Sequence, residues 1–270
     1  MTITIADHLA KYGILPYQSE AEYHSRCIAE LRPQQYDKLI KLRTRMQRNK
    51  RLEDYSKFFD FTSTPIIGAV DLSRATNGIC NVGQQVVAKI VGAKKILDVG
   101  CSLGYLTTWY ALQNPAAEVV GIDISKRMIE VAKAKARDLS VANIRFEAWD
   151  FVDYPDTDKF DAVIATSLTY DNRFALYIKA SQLLADDGFF IETICCDTAA
   201  SARERLHTMA LTRLNAHMVE LVHRTDMGSS SVDLMIVATK ALAPQPPNFD
   251  ALYATDQLVT VTLTMVPPVK

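Results

Sequence analysis

The chain has 270 residues, 49% of them apolar and 23% charged, with 30 basic against 31 acidic side chains and a formal net charge of -1. Such a chain can build one large domain or two small ones around a sizeable core, and its neutral balance excludes coating of nucleic acid through bulk charge. Met1 to Gln18 lacks the cationic start and apolar run of a secretory signal, and no stretch approaches the roughly 18 apolar residues of a membrane span, so the chain reads as cytoplasmic.

Residues 18–60 are rich in helix formers, broken at Pro33, and predict two helices, Glu20 to Leu31 and Gln34 to about Phe59. Thr62 to Asn81 carries Pro65, Gly68 and Gly78 and reads as a connection into a helix from about Val82 to Val91. From Lys95 onward apolar runs alternate with amphipathic segments, the pattern of parallel strands joined by crossover helices. The strands are Lys95 to Val99, Glu118 to Asp123, Ile144 to Ala148, Phe160 to Thr166 and Gly188 to Cys196. Helices fall near Tyr105 to Gln113, Ser125 to Leu139, Arg173 to Ala185 and Ala200 to Asn215. Met218 to Asp226 and Val232 to Thr239 then form a closing antiparallel hairpin, and an extension from Pro244 ends in a strand, Leu258 to Val266. The expected fold is α/β: a doubly wound, mostly parallel seven-stranded sheet with a C-terminal antiparallel hairpin and a helical N-terminal cap. Its divisions are a cap or lid over 1–80, a ligand-binding core over 81–242 and an extension over 243–270.

The five cysteines, Cys27, Cys80, Cys101, Cys195 and Cys196, form no C-x-x-C pair and have no histidine at zinc spacing, so they read as reduced thiols. Adjacent Cys195 and Cys196 on a strand point to opposite faces, which disfavours a bridge between them.

The most informative segment is Lys95-Ile96-Leu97-Asp98-Val99-Gly100-Cys101-Ser102-Leu103-Gly104-Tyr105, a buried strand entering a glycine-bearing turn and then a helix. In an open parallel sheet the ligand crevice lies off the carboxyl ends of the strands, so this turn forms its floor. The turn lacks the G-x-G-x-x-G spacing of a dinucleotide site, and Asp98 at the strand tip repels a pyrophosphate but suits an ammonium or sulfonium. Asp123 ends the second strand, 25 residues after Asp98, where a carboxylate can accept both ribose hydroxyls. Asp150, after the third strand, can take an exocyclic amine of adenine while Phe151 flanks the ring. Three carboxylates on three successive strand ends thus outline a nucleoside with a positive tail.

These pieces, together with Phe160-Asp161-Ala162-Val163-Ile164 and Leu184-Ala185-Asp186-Asp187-Gly188-Phe189, resemble the class I methyltransferases that depend on S-adenosylmethionine (AdoMet), over about residues 80 to 240. The resemblance implies that 81–242 is the AdoMet-binding core and the protein a methyltransferase. It implies that Asp98, Gly100, Ser102 and Gly104 line the methionine part of AdoMet, Asp123 and Ile124 its ribose and adenine, and Asp150 and Phe151 the adenine edge, with Thr166 completing the set. Ser102 departs from the family, which usually has glycine there. The structural alternative is a glycine-bearing connection in a domain that binds no nucleotide.

The acceptor is less legible. The family's DNA and peptide-amide branch carries Asn/Asp-Pro-Pro-Tyr after the fourth strand, where this chain reads Thr166-Ser167-Leu168-Thr169-Tyr170. The cytosine-C5 branch needs a Pro-Cys nucleophile in that region, whereas Cys195 and Cys196 lie on the fifth strand and read as core. Tyr170-Asp171-Asn172-Arg173-Phe174 faintly resembles the metal-dependent catechol-type enzymes, but Thr166 stands where their metal needs a carboxylate, so no metal is expected and Asp171-Asn172 reads as a helix cap.

Candidate bases are His207, first, and Tyr170, second, although His207 reads more readily as a surface helix histidine; His217 and His223 lie farther from the expected crevice, and His24, with Tyr23, can arrive from the N-terminal cap. The second helix holds Lys38, Lys41, Arg43, Arg45, Arg48, Lys50 and Arg51, seven cations in fourteen residues without an acid. They capture an anionic substrate, small or RNA, or form a solvated face over a buried stripe of Leu39, Leu42 and Met46. The lack of interleaved aromatics counts against RNA. Tyr55 and Phe58, with Phe59 and Phe61, roof an apolar acceptor pocket or dock the cap. The reading that follows is methyl transfer from AdoMet to a small-molecule acceptor, a metabolite or natural product, with an RNA acceptor or a non-transferring AdoMet-binding scaffold as rivals.

Overall fold

Hydrophobic rhythm changes at Lys95, and there the computed structural model changes from helices to a sheet. The structure describes residues 3–17, 19–49, 51–155, 157–168, 170, 172–195, 199–226 and 229–240. The expected C-terminal strand Leu258 to Val266, with Cys196, Thr169 and Asp171, lies outside the described residues.

The helical part is more divided than its composition suggests. Helix α1 (Ile5–Ala10) opens on a capping box in which Thr4 and Asp7 satisfy each other's backbone amides. It is followed by α2 (Glu20–Glu30), α3 (Pro33–Asn49) and α4 (Leu52–Thr62). The single helix expected from Gln34 to Phe59 is thus two, because Arg51 is extended and the Asn49 amide and Arg45 both turn to Asp54 across the break. The expected connection at 62–81 is instead largely helical, as α5 (Pro65–Ser73) and α6 (Thr76–Lys89). Pro65 sits at the start of α5, where proline favours a helix, Gly68 is a helical position where packing needs the space, and Gly78 is buried within α6.

The sheet follows, with β1 (Lys95–Val99), α7 (Tyr105–Gln113), β2 (Glu118–Asp123), α8 (Lys126–Asp138), β3 (Ile144–Ala148), a short 3-10 turn at Phe151–Asp153, β4 (Phe160–Thr166), α9 (Arg173–Leu183), β5 (Leu184–Cys195), α10 (Ala199–Leu211), β6 (Leu214–Asp226) and β7 (Ser229–Lys240). Strand order is β3-β2-β1-β4-β5-β7-β6. Pairings β1–β2, β1–β4, β2–β3 and β4–β5 are parallel, and β7 is antiparallel to both β5 and β6.

The expectation of a doubly wound, mostly parallel seven-stranded sheet with a C-terminal antiparallel hairpin is therefore corrected: the sheet is mixed, and the second strand of the hairpin lies inside it, between β5 and β6. Helix α10 carries the chain past one strand position, so β6 runs in the direction of β5 without touching it. The returning β7 fills the gap. Alternation along a strand reveals a hairpin but not a skipped position.

The two faces of the sheet bury separate cores. One packs Leu97, Val99, Ile122, Phe160 and Phe190 against α9 and α10. The other packs Ile96, Val119, Ile164 and Ile191 against α6, α7 and α1, which inserts Ile5 and Leu9. A third cluster, Tyr23, Cys27, Leu39, Phe58, Ile67 and Val70, holds α2 to α5 together. Arg43 crosses that helical cluster buried, paired with Asp71 and donating to the Tyr23 hydroxyl at 3.0 Å.

Candidate functional site

The turn between β1 and α7 is stitched to β2 by its backbone. Gly100 and Cys101 both donate their amides to the Ile122 carbonyl, at 2.8 and 2.9 Å. Ser102 donates its amide to Asp123 Oδ2 at 2.9 Å, and Ser125 donates to Oδ1 at 2.8 Å. Each carboxylate oxygen keeps a further acceptor direction, so the two amides aim Asp123 without exhausting it. Burial raises its pKa above the ordinary carboxylate value while these amides oppose the rise.

Gly100 and Gly104 have φ of +73° and +78°, and a Cβ at either would come within 2.6 Å of Leu168 Cδ1 or 2.7 Å of Phe146 Cζ. Both positions demand glycine for conformation and for space. Ser102 is left-handed as well, at φ 53°, and so is Ser167 at φ 51° just beyond β4. A non-glycine residue in that region costs on the order of 1–2 kcal/mol, and here two occur at the exits of the neighbouring strands β1 and β4.

Asp98 is the electrostatic centre. It is 2% exposed, its Oδ2 accepts from Thr107 Oγ1 at 2.5 Å, and its Oδ1 is buried with no hydrogen-bond partner. Burial, opposed by Thr107 and reinforced by Asp123 nearby, pushes its pKa up to about 7. An unpartnered buried carboxylate oxygen is costly unless a donor arrives.

On the other side of the crevice Asp150 accepts from the Val152 amide at 3.2 Å and from the Tyr170 hydroxyl at 2.8 Å. Tyr170 therefore points its proton at a carboxylate, and burial together with Asp150 moves its pKa up, away from proton abstraction. The loop bearing Tyr170 is anchored from behind. Arg173 donates to the Leu168 carbonyl and to Glu192 Oε1, each at 2.9 Å. Glu192 is fully buried on β5 and also accepts from Arg205 at 2.9 Å and Tyr177 at 2.6 Å. Leu168 in turn lies over Gly100.

The structure thus brings Asp98, Gly100, Ser102, Gly104 and Asp123 into one turn and pairs Asp150 with Tyr170. Thr166 ends β4 half-buried beside them, whereas Ile124 is exposed and Phe151 is buried in the core with Tyr154. Phe58 is buried inside the helical cluster, and Tyr55 is half-buried and stacked on Phe59 at 6.3 Å. His207 is exposed on α10. His24 bonds the Tyr36 hydroxyl at the surface. His217 and His223 fall on β6, and their side chains lie outside the described residues. Asn172 caps α9 by accepting from the Ala175 amide.

Sequence reasoning passed over the extreme N-terminus. There His8 is fully buried, its Nε2 donating to the Tyr105 carbonyl at 2.8 Å, and the Tyr12 hydroxyl donates to Thr108 at 2.8 Å. Burial lowers the His8 pKa. The signal was available in Thr4-x-x-Asp7 followed by Ile5, Leu9 and Tyr12 on one face. Glu192 and its arginines, far apart in sequence, left no signal. Among the described residues no three His, Cys, Asp or Glu side chains gather as a metal site, and no helix is long and apolar enough to cross a membrane.

A family model described as a methyltransferase domain matches residues 90–245. The chain is 28% identical over 116 residues to (S)-coclaurine N-methyltransferase of Papaver somniferum, an alignment covering 42% of this chain and 33% of that protein. It spans about a third of the length of the curated relatives it matches. Its fold is similar to that of magnesium protoporphyrin IX methyltransferase from Synechocystis PCC 6803 with bound SAM, at TM-score 0.52 and 21% identity over 63% of this chain and 84% of that one. It is similar also to that of the 4+2 cyclase SpnF, at TM-score 0.53 and 17% identity over 63% and 84%.

Proposed function

This chain belongs to the class I, Rossmann-like family of AdoMet-dependent methyltransferases, and we propose that it transfers the methyl group to a small-molecule acceptor. The observation that carries the cofactor assignment is the unpartnered, buried Asp98 Oδ1 beside the two left-handed glycines, a cradle for a cationic amino acid tail. The residues present fit AdoMet. Asp98 and the 100–104 turn would hold its methionine part, Asp123 its ribose hydroxyls, and Asp150 and Ile124 the adenine side, with Phe151 buried in the core behind them. When bound, AdoMet supplies a methyl on sulfonium sulfur, open to in-line displacement.

What the protein then contributes is alignment and exclusion of water. Asp123, held by two backbone amides, fixes the nucleoside without rearrangement. The 167–170 loop, clamped by Arg173 to Glu192, stands over Gly100 and orients the acceptor. Tyr170, whose proton faces Asp150, serves as an orienting group; His207 stays exposed on α10, so alignment carries the transfer without it.

The lid consists of α2 to α4 within 1–80, because α1 packs into the core shared with β1 and α7. Residues 81–242 form the methyltransferase core, and the expected extension over 243–270 lies outside the described residues. Cys27, Cys80 and Cys101 are unbridged thiols, which supports a reducing, cytoplasmic setting. The test is incubation with methyl-labelled AdoMet and a metabolite extract. Labelled product and S-adenosylhomocysteine are expected together; AdoMet binding without turnover on any extract would support a non-transferring use of the fold.

A further inference from the structure

The basic run of α3 is not one surface. Arg43 turns inward to Asp71, and Arg45 reaches Asp54 at 2.5 Å. Lys38 instead faces a cleft of about 430 Å³ between α3, α4 and the start of α8, where Lys57 and Arg127 join it. Leu42 and Phe61 supply apolar wall, and Asp60 is the one carboxylate of the lining. The Lys38 ammonium lies 4.6 Å over the Phe61 ring, Lys57 bonds Glu53, and Arg127 Nη2 donates to Thr64 Oγ1 at 2.9 Å.

Two features set this cleft apart from a solvated face. Three cations from three elements converge on it and outnumber Asp60 and the Glu53 that pairs with Lys57, which favours an anion. Arg127 also occupies the first turn of α8, which holds no acid, although the helix dipole disfavours a cation there. A residue placed against the local preference is explained by what it faces. The cleft adjoins the cofactor turn: α8 begins three residues after Asp123, and Gly68 on α5, just past Thr64, lies so close to Leu103 that a Cβ would come within 3.0 Å of it.

We propose that this cleft binds the anionic part of the methyl acceptor, a phosphate or carboxylate between Lys38, Lys57 and Arg127 with adjoining hydrocarbon on Leu42 and Phe61. The assignment rests on the methyltransferase reading above. A cleft of this volume suits a small molecule. A nucleic acid is the poorer occupant, because the internal pairing of Arg43 and Arg45 interrupts any continuous basic stripe along α3.

The test titrates the full chain at low salt with octyl phosphate, octanoate and neutral octyl glucoside, with AdoMet titrated into the same preparation. Saturable binding of octyl phosphate or octanoate is expected, which tells phosphate from carboxylate, with octyl glucoside at least tenfold weaker. A Lys38→Gln, Lys57→Gln, Arg127→Gln variant should lose tenfold or more in affinity for the anion. Asp60→Asn, which removes the opposing charge, should gain several-fold. Equal binding of charged and neutral amphiphiles, or an Asp60→Asn variant that binds no better than the parent chain, overturns the cleft assignment while leaving the methyltransferase reading intact. Tighter binding of a mixed-sequence RNA, lost in the triple variant, replaces the small anion with RNA. Failure to bind AdoMet in the same preparation overturns the methyltransferase reading instead.

Discussion

The two sides of the crevice are held by different means. On the β1–β2 side, backbone amides of Gly100, Cys101, Ser102 and Ser125 hold the turn and its carboxylate. On the β4–β5 side, a loop hangs on long side chains, Arg173, Arg205 and Tyr177, gathered at the buried Glu192. Backbone anchors are short in sequence and tolerate little conformational freedom, which suits a ligand shared by a whole family. Side-chain anchors can be exchanged without remaking the sheet, which suits an acceptor that differs from one family member to the next.

The largest way to break this contrast is at its side-chain end. Glu192→Ala leaves two half-buried guanidiniums and the buried Tyr177 hydroxyl without their acceptor, and denaturant unfolding should register a combined loss of about 3–5 kcal/mol. Next comes the backbone end: Gly104→Val forces a β-branched residue into the left-handed region against Phe146 and Ala132, at about 2–4 kcal/mol in the same measurement. If Gly104→Val proves as stable as the parent chain, the turn does not depend on its glycine.

Asp123→Ala should weaken AdoMet binding by about 1.5–3 kcal/mol, read by calorimetric titration. Unchanged affinity would remove Asp123 from the cofactor site.

A pH series sharpens the comparison further. Asp98 has a pKa raised to about 7 in the folded chain, above its unfolded value near 4. Its contribution to stability is therefore largest when it is protonated at low pH, and declines as pH rises from about 4 toward 7. Binding of a cationic ligand runs the opposite way, since it needs the carboxylate. AdoMet affinity should fall about tenfold for a pH unit below that pKa, and Asp98→Asn should flatten the profile. The smallest effect is expected at His207: exposed on α10, its replacement by alanine should leave kcat within a few-fold, about 1 kcal/mol or less. A hundredfold loss would make it the base.

The contrast also explains what the sequence discloses. Leu97-Asp98-Val99-Gly100 and Val120-Gly121-Ile122-Asp123 announce strand, turn and acid within a few residues, and the structure brings Asp98 and Asp123 together as that spacing requires. Arg173 and Glu192 acquire meaning only once α9 and β5 are packed, so no local pattern marks them. The break of α3 from α4 is hidden because good helix formers such as Arg45, Arg48 and Glu53 run up to it from both sides, while the bonds of Asn49 and Arg45 to Asp54 favour the turn. Arg43 looked like one more surface cation, and only Asp71, far along the chain, reveals that it is buried.

The interior position of β7 has a consequence for synthesis. β5 is complete at Cys195, yet its partner ends at Lys240, 45 residues later. At about 5–20 residues per second, β5 waits several seconds on the ribosome with one edge unpaired. Ile191 and Phe190, fully buried in the finished sheet, belong to that waiting strand. Its open edge is a template for misplaced pairing between nascent chains, and shielding by a chaperone would matter most in that interval.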